Sequence, residues 1–564
     1  MRARGVAGLT ALAGLVAATV PAVLGAGPAT GVTTDQTYWV PVDKQIVVRG
    51  HGYGHGHGMS QYGAQGAAQE GKSYKDIVDF YYPGTSWSQV RGKVRVLITA
   101  DTSDDVVVGV ADGLSVRDLG TRTTYQLPVR PAIKQWRLTV RDKKTVVEKY
   151  TDRWRRFRPG GNVALSGDGE FFARTPIRLS TPSGWRTYRG VLRAARPSSG
   201  STARDTVNVL TMDQYVMGVV PYEMPASWHP EAVKAQSIAA RTYATYSRAQ
   251  YPSRYYQICD TTACQVYGGV SAEDARSNRA VRATARQILT YDGKAAFTQF
   301  SSSSGGWTSR GSVPYLPAKE DPYDGWAGNP VHSWTTKVDA ARLERRYPKI
   351  GTLTRIEVTT RDGNGEWQGR VGTLVLRGST GSATMTGDDF RWAVGLRSTW
   401  FTIDPTPIMN RWQRIGGTKS PLGTVRGAEY PVRSGSAQRF ERGRIFYSRP
   451  TGPRELYGPV LRRYQKAGGP SSRLGLPRTA VRPKRAGTRA LFVGGGIYSL
   501  ERIGTVLVSG PVAKRYVTEG ELRSGLGWPT GTNRAVRDGE RVDFEHGYIR
   551  WFRSSGKTVV RRNR

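Results

Sequence analysis

The sequence predicts an α+β protein: a strand-rich domain with a few helices around a cleft, then a three-unit array of small β-rich repeats. Three observations carry this. Short β-branched runs bounded by Gly, Asp and Ser recur through about residue 403. A few segments with helix-start signals interrupt them. The C-terminal part repeats itself with a fixed period.

The elements follow in chain order. Met1–Arg4 carries two arginines, and Gly5 to Thr34 holds no charged residue. This is the pattern of a secretory signal over residues 1–29, with cleavage near Ala26 or Ala29. An uncleaved anchor is the alternative, because the uncharged stretch is long enough to span a bilayer. Next comes "RGHGYGHGHGMSQYGAQG", with Gly at every second position from Gly50 to Gly58 and three of the six histidines, His51, His55 and His57, within seven residues. Their spacing suits no common metal-ligand set. Drawn out as a strand, the segment would offer a bare glycine face to a backbone or a glycan.

"SYKDIVDFYYPG" predicts a helix opened by a Ser73/Asp76 capping box. The runs "KVRVLITA", "RLTVRD", "RGVLRAA", "DTVNVLTM", "RIEVTTRD" and "VGTLVLRG" predict strands. After the fourth of these, Pro221-Tyr222-Glu223-Met224-Pro225 reads as a stiff loop, and "HPEAVKAQSIAARTYATYSRAQ" as a helix with Pro230 and Glu231 in its first turn. A carboxylate at Glu223, set beside apolar side chains, would have its pKa raised by desolvation, as a general acid requires. An ordinary loop glutamate is the alternative. "SAEDARSNRAVRATARQIL" predicts a further helix opening at Ser271 and Asp274.

Cys259 and Cys264 are the two cysteines. In an exported protein such a close pair reads as a small disulfide loop. Half of a metal site is the alternative, and it lacks nearby partners, the nearest histidine in sequence being His229.

Domain 36–404 gives way to a linker at 405–410 and then to the array at 411–564, with units 411–462, 463–514 and 515–564. Leu422, Leu474 and Leu526 stand 52 apart, and Phe440, Phe492 and Phe544 keep the same spacing, as do Trp412, Tyr464 and Tyr516. Of the net charge of +39, residues 405–564 supply 22, from 32 Lys+Arg and 10 Asp+Glu. With export, such a balance points to anionic polymers of the cell envelope and away from nucleic acid. Plain solvated surface is the competing reading.

Residues about 46–403 resemble the stage II sporulation protein D family, also called SpoIID/LytB-like. The resemblance is carried by the Gly-His segment, by "VNVLTMDQYVMGVVPYEMPASWHPEAVKAQSIAARTYA", by "CQVYGG", by "FTQFSSSSGGWTS" and "VPYLPAKEDPYD", and by "SATMTGDDFRWAVGLRSTWFTI". The C-terminal units resemble the LGFP repeat of cell-wall proteins, Leu474–Pro477 and Leu526–Pro529 fitting better than the first unit. The family resemblance implies a secreted, wall-located lytic transglycosylase. It would cleave MurNAc–GlcNAc bonds of peptidoglycan, intact or stripped of stem peptides, to 1,6-anhydro ends, with Glu223 as the acid/base. It equally implies a non-catalytic amidase enhancer or wall-binding scaffold, with an amidase as partner.

By the same resemblance His55, His57, Gln61, Tyr62, Gln236, Arg241, Tyr267, Ser302, Ser303 and Trp307 are assigned to substrate contact or cleft shape. No cofactor is expected. Zinc occurs in some family members, but here Ala263 precedes Cys264 and no histidine stands just upstream of Cys259.

Overall fold

A computed structural model describes residues 31–484 and 487–563. The expected signal peptide at 1–29 lies outside the described residues. Among the described residues no helix is long and apolar enough to cross a membrane.

The architecture is α+β, with the β-rich repeats at the C-terminal end. Helices are α1 (Gln61–Gln69), α2 (Tyr74–Tyr81), α3 (Met212–Glu223), α4 (Pro230–Gln250), α5 (Ala275–Ala283), α6 (Ala340–Arg346), α7 (Gly387–Val394), α8 (Pro407–Arg414), α9 (Gly458–Lys466) and α10 (Gly510–Thr518). Among the described residues, the region before the repeats has, besides a small cluster of Val191, Ala195, Val207 and Val209, two large hydrophobic cores. The larger gathers the inner faces of a seven-stranded and a six-stranded sheet with α1–α5, through residues such as Val94, Val108, Leu138, Phe171, Leu192, Tyr215, Val233 and Ile238. The smaller is built from both ends of the region. Strand Val32–Trp39 pairs with Leu353–Arg361, and Gln45–His51 lies between Ser333–Asp339 and Phe401–Ile403. The chain thus starts in the smaller core, leaves it to build the larger one, and returns.

Local chemistry explains the helix starts. Ser73 accepts from Asp76 N–H while the Asp76 carboxylate accepts from Ser73 N–H, closing the predicted capping box. Thr211 and Gln214 do the same for α3. Helix α5 is capped by Asp274, three residues later than Ser271. Helix α3 runs through Pro221 to Glu223, so the expected stiff loop is in its first half the last turn of a helix. Pro221 there gives up the bond to the Met217 carbonyl and crowds it, and the helix ends two residues later.

The Gly-His segment departs from the extended reading. The strand ends at His51, and Gly52, Gly54, Gly56 and Gly58 all take positive φ. A Cβ at Gly58 would lie 2.1 Å from the Gln299 carbonyl oxygen, and one at Gly52 would lie 2.7 Å from that of Ser303. The glycines therefore serve a coiled backbone pressed against the 299–305 loop, not a flat bare face.

Each repeat folds as a four-stranded antiparallel sheet, and Leu422, Leu474 and Leu526 are fully buried. Helix α9 packs on strands of both the first and second sheets, and α10 on strands of both the second and third, so neighbouring units share a helix. Helix α8 occupies the expected linker from Pro407 onward, capped by Thr406.

Substituting Gly58→Ala should cost about 2 kcal/mol or more, from the forced positive φ plus the backbone clash. A urea unfolding curve of the full chain checks this, and an unchanged midpoint would contradict the packing described.

Candidate active site

Glu223 ends α3 and faces a cavity of about 380 Å³. Its walls come from His55, from Gln299 and Phe300, from Tyr243 of α4, and from Thr262 to Val266 of the cysteine loop. Cys259 and Cys264 are joined as a disulfide, which closes that loop at the cavity edge. Glu223 is the sole carboxylate among the cavity-lining residues. Burial raises its pKa, partly opposed by a hydrogen bond from the Gln61 amide at 3.5 Å and by the Val266 backbone N–H.

His55 is held neutral. Burial, and then the neighbouring His57, drive its pKa down to about 3. Its Nδ1 accepts the His57 backbone N–H at 3.0 Å, which puts the ring proton on Nε2. His57 stacks on His55 with ring centroids 4.9 Å apart, and burial lowers its pKa as well. The histidine cluster therefore offers neutral rings beside a desolvated acid.

The other sequence-selected residues separate into groups. Gln61 reaches Glu223. Tyr62 packs against Trp228 and Trp326 with centroids 4.9 and 6.1 Å away, while its backbone N–H bonds the Ser302 carbonyl. Arg241 is fully buried, paired with Asp213 at 2.8 Å and donating to the Ser237, Gln287 and Val281 carbonyls. Tyr267 is buried, its hydroxyl donating to Asn208 at 2.7 Å. Gln236 is buried in α4, and Ser303 is buried on Asp324. These four assignments to substrate contact are corrected: their side chains are enclosed by the fold. Trp307 lies beside Gly365 and outside the Glu223 cavity. Asp213 and Glu231 are both engaged, Glu231 by Tyr74 N–H at 2.7 Å and Lys234 at 2.6 Å.

Sequence reasoning missed the carboxylates beneath the site. Asp324 is fully buried and accepts from Ser60 Oγ (2.6 Å), Ser303 Oγ (2.8 Å), the Ser304 and Gly305 N–H groups (3.0 Å each), Asn329 (3.0 Å) and His332 Nδ1 (2.9 Å). Its pKa is lowered, because the bonds from His332, Ser60 and Ser303 outweigh burial. Asp321, beside it, accepts from Tyr81 and Ser304, and burial with the Asp324 charge pushes it up to about 7. Ser60 in turn caps α1, the helix that carries Gln61 to Glu223. The run "VPYLPAKEDPYD" was a visible signal, but its partners lie far away in sequence. Among the described residues no group of three or more His, Cys, Asp or Glu is placed to hold a metal ion.

The arrangement defines an α+β domain with a desolvated glutamate in a cavity, joined to tandem repeats. Residues 200–291, which include α3, Glu223 and the disulfide loop, match the family model described as Stage II sporulation protein. Residues 422–472 match the LGFP repeat. The chain is 41% identical over 135 residues to the amidase enhancer of Bacillus subtilis (strain 168), covering 23% of this chain and 17% of that protein. It is 30% identical over 238 residues to stage II sporulation protein D of Bacillus amyloliquefaciens, and 31% identical over 240 residues to that of Bacillus subtilis (strain 168). Each of those two alignments covers 38% of this chain and 64% of the relative. The chain thus spans less than two thirds of each of these relatives. It carries a SpoIID domain followed by C-terminal LGFP repeats.

A carboxyl with a raised native pKa binds its proton in the folded state while the unfolded chain has released it. Asp321 should therefore make stability fall as pH rises from about 4 to about 7. Asp321→Asn should flatten that slope relative to the parent, by on the order of 1–4 kcal/mol between the ends of the window. Chemical denaturation at pH 5 and pH 7.5 measures it, and parallel curves for the two proteins would refute the assignment.

Proposed function

We propose that the protein acts in the cell wall as a peptidoglycan lytic transglycosylase with Glu223 as its single acid/base. One observation carries this reading: Glu223 is the lone carboxylate lining its cavity, where burial raises its pKa. A protonated Glu223 donates to the leaving glycosidic oxygen as the MurNAc–GlcNAc bond breaks. The oxocarbenium-like centre is captured by the sugar's own C6 hydroxyl, and ionised Glu223 takes that proton. A hydrolase would use a second carboxylate, about 5–5.5 Å or 6.5–9.5 Å from the first. Asp213 and Glu231 are tied into structural bonds, which supports the one-acid chemistry. The Gln61 amide favours the ionised form and so sets the pH at which the proton leaves.

A second reading has an observation of its own. The 41% match to a protein named amidase enhancer favours a non-catalytic role in stimulating an amidase. Under either reading the repeats dock the protein on anionic wall polymers, a role supported by their excess of 22 positive charges. The amino-terminal pattern supports export to the wall.

Glu223→Gln should lower formation of 1,6-anhydro ends by about a hundredfold or more on intact or peptide-stripped glycan, as read by mass spectrometry. No anhydro product from the unaltered protein on either substrate would defeat the enzymatic reading and leave the enhancer. Gln61→Ala removes a bond that favours ionised Glu223, so the upper pH limb of activity should move to higher pH. Sedimentation with purified walls should weaken steeply between about 50 and 500 mM salt if the repeats dock by charge. Salt-independent retention would contradict that role.

A further inference from the structure

Between the N-terminal domain and the first repeat runs a groove of about 560 Å³, continuous in its lining with a smaller recess of about 240 Å³. Three half-buried tryptophans line the groove, from three separate parts of the chain: Trp39 of the first strand, Trp367 of the 362–370 loop and Trp412 of α8. Polar side chains stand between them. The Gln36 carbonyl is taken by Tyr38 and Arg361, which leaves its amide N–H groups for a ligand, and Gln413 is exposed. Flat indole faces interleaved with planar amides are the chemistry that receives a pyranose, whose C–H faces are apolar and whose rim is hydroxyl.

Two independent features mark this groove as built. In the second and third units the counterparts of Trp412, Tyr464 and Tyr516, are fully buried. Each meets an aromatic ring of the preceding unit, Phe446 at 5.4 Å and Tyr498 at 5.7 Å. One period earlier the chain has Val394, inside α7 of the N-terminal domain, so Trp412 has no such ring and borders the groove instead. Yet its indole N–H bonds the Gly423 carbonyl, as the two tyrosine hydroxyls bond Gly475 and Gly527. The second feature is Trp367. It holds φ 58°, a left-handed backbone that a bulky residue rarely adopts. Its loop is fastened by the Asp362 carboxylate, which accepts from Asn364 and Arg370 N–H, and by Trp400 Nε1 donating to the Glu366 carbonyl. The Trp367 ring is backed by His51, 4.8 Å away.

We infer that this junction groove is a second carbohydrate-binding site, separate from the Glu223 cavity, which holds a pyranose glycan strand against Trp367, Trp412 and Trp39. The inference rests on the proposed wall reading only for the kind of sugar. The test uses the full chain carrying Glu223→Gln, so that bound glycan is not consumed, and titrates it with a hexasaccharide of β-1,4-linked N-acetylglucosamine. The chain has 15 tryptophans, so the groove's share of the fluorescence change is the part lost in the Trp367→Gly protein. A saturable change is expected, weakened at least tenfold by Trp367→Gly, a substitution that relaxes the backbone. Gln413→Ala, at an exposed position, should weaken it about three- to tenfold, and Trp185→Ala, far along the chain, should leave it intact. The absence of a saturable change, or an affinity in both the Trp367→Gly and Gln413→Ala proteins equal to that of their Glu223→Gln parent, overturns the inference. Saturable binding with no anhydro product from the unaltered protein would sink the transglycosylase reading and leave the groove standing.

Discussion

The geometry of the site depends on one buried carboxylate. Asp324 gathers six donors from four separate stretches of chain: Ser60, the 303–305 backbone and hydroxyl, Asn329 and His332. A buried charge is tolerable only when its lone pairs are satisfied, and here they are. Because Ser60 is also the N-cap of α1, the same carboxylate sets where α1 begins and hence where Gln61 meets Glu223. The serine loop against which the Gly-His segment coils is fixed by it too. Its neighbour Asp321 bears the consequence: two carboxyls at close quarters cannot both ionise cheaply, and Asp321 is the one that keeps its proton.

Above this base the cavity obtains its chemistry by exclusion of water. Glu223 stands at the end of a helix whose other face is packed by Tyr215, Val216 and Val219, and the disulfide loop covers the remaining side. Neutral His55 adds a polar wall without adding charge, so nothing nearby competes for the role of acid. A single carboxylate in such a wall suits the one-acid chemistry proposed above.

Much of the architecture was legible in the sequence because its causes are local. Ser73 with Asp76 announces a helix start at short range, and the 52-residue spacing of Leu422, Leu474 and Leu526 marks the buried anchor of each sheet. Glu223 stood out because apolar neighbours and prolines flank it. What was illegible depends on distant partners. Gly52 and Gly58 coil because Ser303 and Gln299 press on them, and no pattern within the segment encodes that contact. Asp324 finds Ser60 across 264 positions of sequence. Arg241 and Tyr267 were assigned to substrate contact by the family resemblance, which says nothing of how their side chains pack. Buried Arg241 pairs with partly exposed Asp213, and the Tyr267 hydroxyl donates to buried Asn208. Pro221 suggested a loop where a helix simply continues past it.

The absence of slack between domain and array has a mechanical consequence. Strand Phe401–Ile403 is paired into the N-terminal domain, and α8 begins at Pro407, only a few residues later. Adjacent repeats then share α9 and α10, so each unit packs on its neighbour. A flexible leash would raise the local concentration of glycan around the cavity while leaving its direction random. Here a short, helical junction joins the two, so under the docking role proposed above the array would fix the direction in which the cavity mouth faces. On that reading reach is exchanged for aim, and the cavity would meet only strands lying at one angle and height above the docked layer.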